Sequence, residues 1–233
     1  MEEDSKIRKI AFVGDHLPRK CGIATFTSDL LAAVAAAHPQ NRCFSVSVND
    51  IPGGYEYPEV VRFEIEEQDL SSYLRAADFL NISDVDIVCL QHEFAIFGGT
   101  AGGHILALLR ELIMHVVTTL HTILREPKAD QRRVTHELVA LSTRLVVMAD
   151  RGRQMLQEIC QAPPAKIDLI PHGIPDVGLE LYSPKTGGCR DGLYVDRVNR
   201  SQGAESTLAF LLSLAEMRLA QNTLTSFKEP IAA

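Results

Sequence analysis

Three stretches of this sequence place reactive or polar side chains where a ligand would need them. In "GDHLPRKCGIAT" (14–25), Gly22 stands directly before a run that reads as a helix, with Ile23, Thr25 and Thr27 in its opening turns. Glycine lets backbone approach a ligand, and the free N–H groups of a helix start favour an anion such as a phosphate. The same pattern also describes an ordinary turn. The stretch is neither a GxGxxG fingerprint nor a Walker A sequence, so neither NAD nor ATP is indicated by motif.

In "QHEFAIFGGTAGGHI" (91–105), His92 and Glu93 are followed by two phenylalanines and four glycines. Adjacent residues at a strand end point to opposite sides, and no third ligand is placed by spacing, so a metal site is not expected. A glycine-rich turn lining a polar pocket fits better, with His92 or Glu93 bonding substrate hydroxyls; a structural hydrogen-bonding role fits as well. "VVTTLHTILREP" (116–127) delivers His121 to the end of an apolar run. It reads either as a ligand contact or as a satisfied structural histidine. Arg125 and Glu126 just beyond it would clamp a substrate or pair with each other. His16, His38, His104, His115 and His136 have no such placement and read as structural. No Ser/His/Asp grouping or GxSxG turn supports a hydrolase.

The elements that must position these residues alternate regularly. Strand-like runs occur at Lys9–Gly14, Cys43–Val48, Val61–Ile65, Asp86–Gln91, Val116–His121, Arg144–Ala149 and Lys166–Ile170. Between them lie "ATFTSDLLAAVAAAH", "DLSSYLRAADFL", "HILALLRELIM", "RRVTHELVALS" and "RGRQMLQEIC", with apolar residues at three- and four-residue spacing. Alternation of this kind predicts an α/β fold with a doubly wound, mostly parallel, Rossmann-like sheet. Several strands are apolar at both alternations, as strands covered on both faces are. Ligands then sit beyond the carboxyl ends of the strands, where the polar and glycine-rich stretches fall.

The chain has 233 residues, 46% hydrophobic and 23% charged, and a formal net charge of -7, a composition of globular rather than disordered type. The acidic balance argues against a general nucleic-acid or anionic-membrane binder, while leaving room for a local basic site. No run of eighteen apolar residues predicts a membrane span, and the start "MEEDSKIRKIAFVG" lacks the apolar stretch of a signal peptide. Five scattered cysteines without CxxC spacing fit a reducing compartment, and a cytoplasmic location is expected.

Taken together, "IAFVGDHLPRKCGIATFTSDLL", "VCLQHEFAIFGG", "VVTTLHTILREP", "RLVVMADRGRQML" and "KIDLIPHGIPD" resemble the N-terminal half of retaining, family-four glycosyltransferases of GT-B architecture, which consist of two Rossmann-like halves. The resemblance implies that residues 7–177 form the acceptor-side half of a GT-B fold. It implies transfer of a sugar from a nucleotide-sugar donor, with retention, to a carbohydrate acceptor and without a metal or other cofactor. It places Gly22 and its neighbours beside the donor phosphates and His121 facing the transferred sugar as the catalytic position. On that basis Ile23, Thr25, His92, Glu93 and Arg125 are the expected substrate contacts. His172 and Gly173 match the segment leading into the second half, where many relatives carry Asn in place of His172.

After Pro175 such relatives continue with a donor-binding domain, including an E-x7-E segment, that this sequence does not contain. Residues 178–233 instead resemble the extreme C-terminus of long fusions between a glycosyltransferase and a helical toroid, through "GGCRDGL" and "NRSQGAESTLAFL". The join around Val177–Leu181 is expected to reflect an internal deletion, gene decay or an assembly error. The tail, residues 178–233, is expected to form an α-helical appendage with one long apolar-rich helix over Gly203–Leu219. That helix would pack on the first domain or mediate self-association. Gln202, Glu205, Asp191 and Asp196 read as structural. A chain of this make-up is expected to be inactive alone, or to work with a separate donor domain. The alternatives are a non-catalytic sugar- or nucleotide-binding module and a non-functional remnant.

Overall fold

The computed structural model describes residues 7–170 and, as backbone, the short strands Tyr182–Ser183 and Gly188–Cys189. The chain divides into two units, Met1–Gly173 and Ile174–Ala233. In the second, those two strands pair antiparallel. The helix expected over Gly203–Leu219, together with His172 and Gly173, lies outside the described residues.

The first unit is built on seven strands, β1 (Lys9–Gly14), β2 (Arg42–Asn49), β3 (Val61–Glu66), β4 (Ile87–His92), β5 (His115–Leu120), β6 (Arg144–Val147) and β7 (Ile167–Leu169). They lie in the order β3-β2-β1-β4-β5-β6-β7, and all six pairings are parallel. Five helices connect them, α1 (Gly22–Ala37), α2 (Leu70–Ile82), α3 (Ile105–Glu111), α4 (Ala129–Leu141) and α5 (Asp150–Cys160). This is the expected doubly wound α/β sheet.

Burial explains the apolar runs. In β1, Ile10, Ala11, Phe12 and Val13 are all buried. Ile10 and Phe12 pack with Leu31 of α1, whereas Ala11 and Val13 join the larger cluster containing Tyr73, Leu80, Leu106 and Leu138. Both faces are therefore covered, and the strand carries no polar alternation.

Local chemistry sets the ends of the helices. Cys21 caps α1, its Sγ accepting from the Ala24 N–H at 3.2 Å, and Asp69 caps α2 by accepting from the Ser71 N–H at 2.9 Å. The apolar spacing predicts that α3 runs to Met114, yet it stops at Glu111, with Leu112 extended. The Asn81 side chain donates to the Glu111 carbonyl at 2.8 Å and accepts from the Ile113 N–H at 3.3 Å. It takes over groups that a further helical turn would have used, and the chain turns directly into β5.

Candidate functional site

The strand order reverses between β1 and β4, because the chain runs outward from β1 to β3 on one side and from β4 to β7 on the other. At such a switch point the loops leave in opposite directions and open a crevice beyond the strand ends. The loops after β1, β4 and β5 meet there.

His121 is the first residue past β5. Its backbone N–H donates to the His92 carbonyl at 3.0 Å. Its Nε2 lies 3.1 Å from Oε1 of Gln91, an amide oxygen that only accepts, which assigns the proton to Nε2. Phe26, on α1, meets the imidazole edge to face with centroids 4.8 Å apart. The ring is thus held between the end of β4 and the second turn of α1, partly exposed.

Glu93 is turned to the same neighbourhood. One carboxylate oxygen accepts from the Phe94 N–H at 2.8 Å, and the other takes a short hydrogen bond from the Thr122 hydroxyl, next to His121. His92 is differently placed. Its ring is fully buried, stacked on Phe97 at 5.9 Å and edge to face with Phe94 at 5.1 Å. Among the described residues neither ring nitrogen has a hydrogen-bond partner. Burial, with a smaller contribution from His121, lowers its pKa to about 3, so the ring is neutral. His92 offers a ligand no surface in this conformation, and it meets the site through its carbonyl.

The start of α1 is open. Gly22 is exposed, and a Cβ built on it meets no atom within 4 Å. Ile23 packs against the core, and the Thr25 hydroxyl turns back to the Cys21 carbonyl at 3.4 Å. Any ligand at this end of the helix therefore meets backbone N–H groups first. Arg125 is exposed, and among the described residues no ion pair joins it to Glu126.

Beneath this opening lies a charged anchor that the sequence pattern does not single out. Asp15, fully buried, binds the Arg19 guanidinium at 2.8 Å and accepts from the Cys21 thiol at 3.1 Å. Arg19 continues to the Val48 carbonyl and to Asp50 at 3.3 Å, and Asp50 accepts from the Tyr55 hydroxyl at 2.7 Å. Burial raises the Asp15 pKa to about 6 despite the lowering by Arg19 and Cys21. Burial and the Asp15 charge push the Cys21 thiol up to about 12, which keeps it a donor. This chain fixes the loop after β1 to the loop after β2, and a cleft of about 950 Å³ opens there, lined by Asn49, Asp50, Glu64, Glu66 and Glu67. Among the described residues no three His, Cys, Asp or Glu side chains converge in a way that would hold a metal ion.

Gln91, Thr122, Asp15 and Arg19 are the site residues that sequence reasoning passes over. For Gln91 and Thr122 the signal was adjacency, since each sits next to a histidine at a strand end. For Asp15 and Arg19 there was none, because a spacing of four residues in a loop predicts no contact.

No protein-family model matches the chain, and no curated protein matches it. Solved structures do share its fold. It is similar to a glycosyltransferase from Rickettsia africae ESF-5, at 14% identity and a TM-score of 0.51, over 78% of this chain and 48% of that one. It is also similar to Anabaena Alr3699/HepE in complex with UDP and glucose, at 12% identity and a TM-score of 0.49, over 78% and 48% of the two chains. An alpha-glucosyltransferase in complex with UDP matches at 14% identity and a TM-score of 0.43, over 70% and 41%. The chain thus spans about half the length of these structures or less. The first of these likenesses establishes the shared Rossmann-like α/β architecture.

Proposed function

We propose that this chain carries the acceptor-side half of a retaining glycosyltransferase of the family-four, GT-B type. The observation that carries the reading is the placement of His121, held by Gln91 and Phe26 beside the open start of α1 at the switch point of the sheet. In glycosyl transfer the bond between the anomeric carbon and the nucleotide phosphate oxygen breaks, the acceptor oxygen bonds to that carbon, and the acceptor's proton passes to the departing phosphate. Negative charge grows on the leaving phosphate. The N–H groups of Gly22 and Ile23 and the helix dipole stabilise that charge, with Thr25 beside them in the same opening turn. His121 bonds the transferred sugar, Glu93 and Arg125 orient the acceptor, and His92 supports His121 through its carbonyl. His172 and Gly173 lead toward a donor half, and no metal or cofactor takes part.

The experiment is a titration of the 15N-labelled chain with UDP-, GDP- and ADP-glucose, followed by an assay for release of the nucleotide diphosphate with sugar acceptors present. The reading expects amide shifts at Gly22, Ile23, Thr25 and His121 with one nucleotide sugar. Absence of shifts with all three donors sinks it. The second reading is a non-catalytic sugar- or nucleotide-binding module that uses the same loops. Shifts without turnover, even with a separately supplied donor domain, would select it. Where turnover occurs, His121→Ala is expected to lower it by at least about a hundredfold while leaving the unfolding midpoint in place. Loss of folding in that variant would make His121 structural.

A further inference from the structure

At the amino edge of the sheet, opposite the strand ends that carry His121, lies a second concavity of about 770 Å³. Its walls come from the first residues of β1, β2 and β3 and the closing turns of α1 and α2. Lys9, Arg42 and Arg62 line it, and among the described residues that line it none carries a carboxylate. Lys9 reaches the Ser83 carbonyl through its ammonium. Among the described residues neither arginine side chain makes an ion pair or a hydrogen bond.

Three cations gathered in one hollow of an acidic protein repel one another, and an entering anion relieves that repulsion. Guanidinium forks match the oxygens of a phosphate in pairs. Part of the wall is aromatic, with Phe44 and Phe79 meeting edge to face at 5.9 Å. Oδ1 of Asn41, also in the wall, is buried without a donor among the described residues, and a ligand hydroxyl or N–H would satisfy it. The volume falls in the range of small-molecule sites, about 300–1,000 Å³.

We propose that this amino-edge hollow binds a small phosphomonoester, its phosphate held by Arg42 and Arg62 and its apolar body against Phe44 and Phe79. The hollow lies at the edge remote from the proposed transfer site, so a molecule bound there is not the donor sugar nucleotide in its reacting position.

The test uses the 15N-labelled full chain with phenyl phosphate, inorganic phosphate and benzyl alcohol as probes. Phenyl phosphate is expected to give saturable amide shifts at Arg42, Cys43, Arg62 and Ser83, inorganic phosphate weaker ones at the same amides, and benzyl alcohol none. Arg42→Ala and Arg62→Ala, both at exposed side chains, are each expected to weaken phenyl phosphate about tenfold without altering the rest of the spectrum. Shifts confined to Gly22–Thr25, no saturable shifts, or undiminished binding by the double variant would each overturn the site. Equal affinity for phenyl phosphate and inorganic phosphate would overturn the role of the aromatic wall.

Discussion

Asp15 and His92 are both sealed from solvent, and their titrations pull stability in opposite directions. The Asp15 pKa is raised from 3.8 to about 6, so its contribution to folding is full below pH 3.8 and is lost as the pH climbs through about 6. Asp15→Asn is expected to remove a slope worth up to about 3 kcal/mol between those limits, read as the difference between variant and wild-type urea midpoints across pH 4–7. The His92 pKa is lowered from 6.5 to about 3, so its contribution is full above pH 6.5 and is lost as the pH falls toward 3. His92→Leu is expected to flatten that acid-side loss in the same series, and a variant with the wild-type acid slope would refute the assignment. Of these two groups only His92 stands out in the sequence, by its place at a strand end. Asp15 is bound by Arg19 and Cys21, and Arg19 is itself anchored on the Val48 carbonyl, contacts set by tertiary packing rather than by local pattern.

At the scale of elements, the loop after β4 is locked to the turn between β3 and α2. The Tyr73 hydroxyl accepts from the Gly98 N–H at 2.9 Å and donates to the Glu67 carbonyl at 3.0 Å. A Cβ on Gly98 would stand 1.8 Å from the Glu67 carbonyl oxygen, so one of the two backbones must move. Gly98→Ala is expected to cost more than about 3 kcal/mol in chemical denaturation. Gly22→Ala, entering open space at the start of a helix, is expected to stay within about 0.5 kcal/mol of wild type. It should still weaken any anion that approaches those N–H groups. All seven strands were legible: β1 and β2 are nearly continuous buried runs, whereas β3 shows the period-two alternation of a strand with one exposed face. The end of α3 was not, because Leu112, Ile113 and Met114 continue the apolar spacing while Asn81, thirty residues earlier, ends the helix.

For the whole molecule, the buried clusters described in the first unit are drawn from β1 to β7 and α1 to α5 and cover both faces of the sheet. A chain ending at Gly173 is therefore expected to unfold cooperatively, with near-UV and far-UV circular dichroism lost together. Non-coincident transitions would show that the unit leans on later residues. Among the described residues no helix is long and apolar enough to cross a membrane. The strand order also bears on synthesis. β1 leaves the ribosome first, yet Ile10 pairs with Ile87 on its β4 side, seventy-seven positions downstream. Until β4 emerges, the nascent chain holds an apolar strand with one hydrogen-bonding edge unmet, and long-range parallel pairing is slow to close. Ribosome-stalled chains ending shortly before β4 has emerged should therefore recruit holding chaperones more strongly than chains stalled after β5 has cleared the exit tunnel.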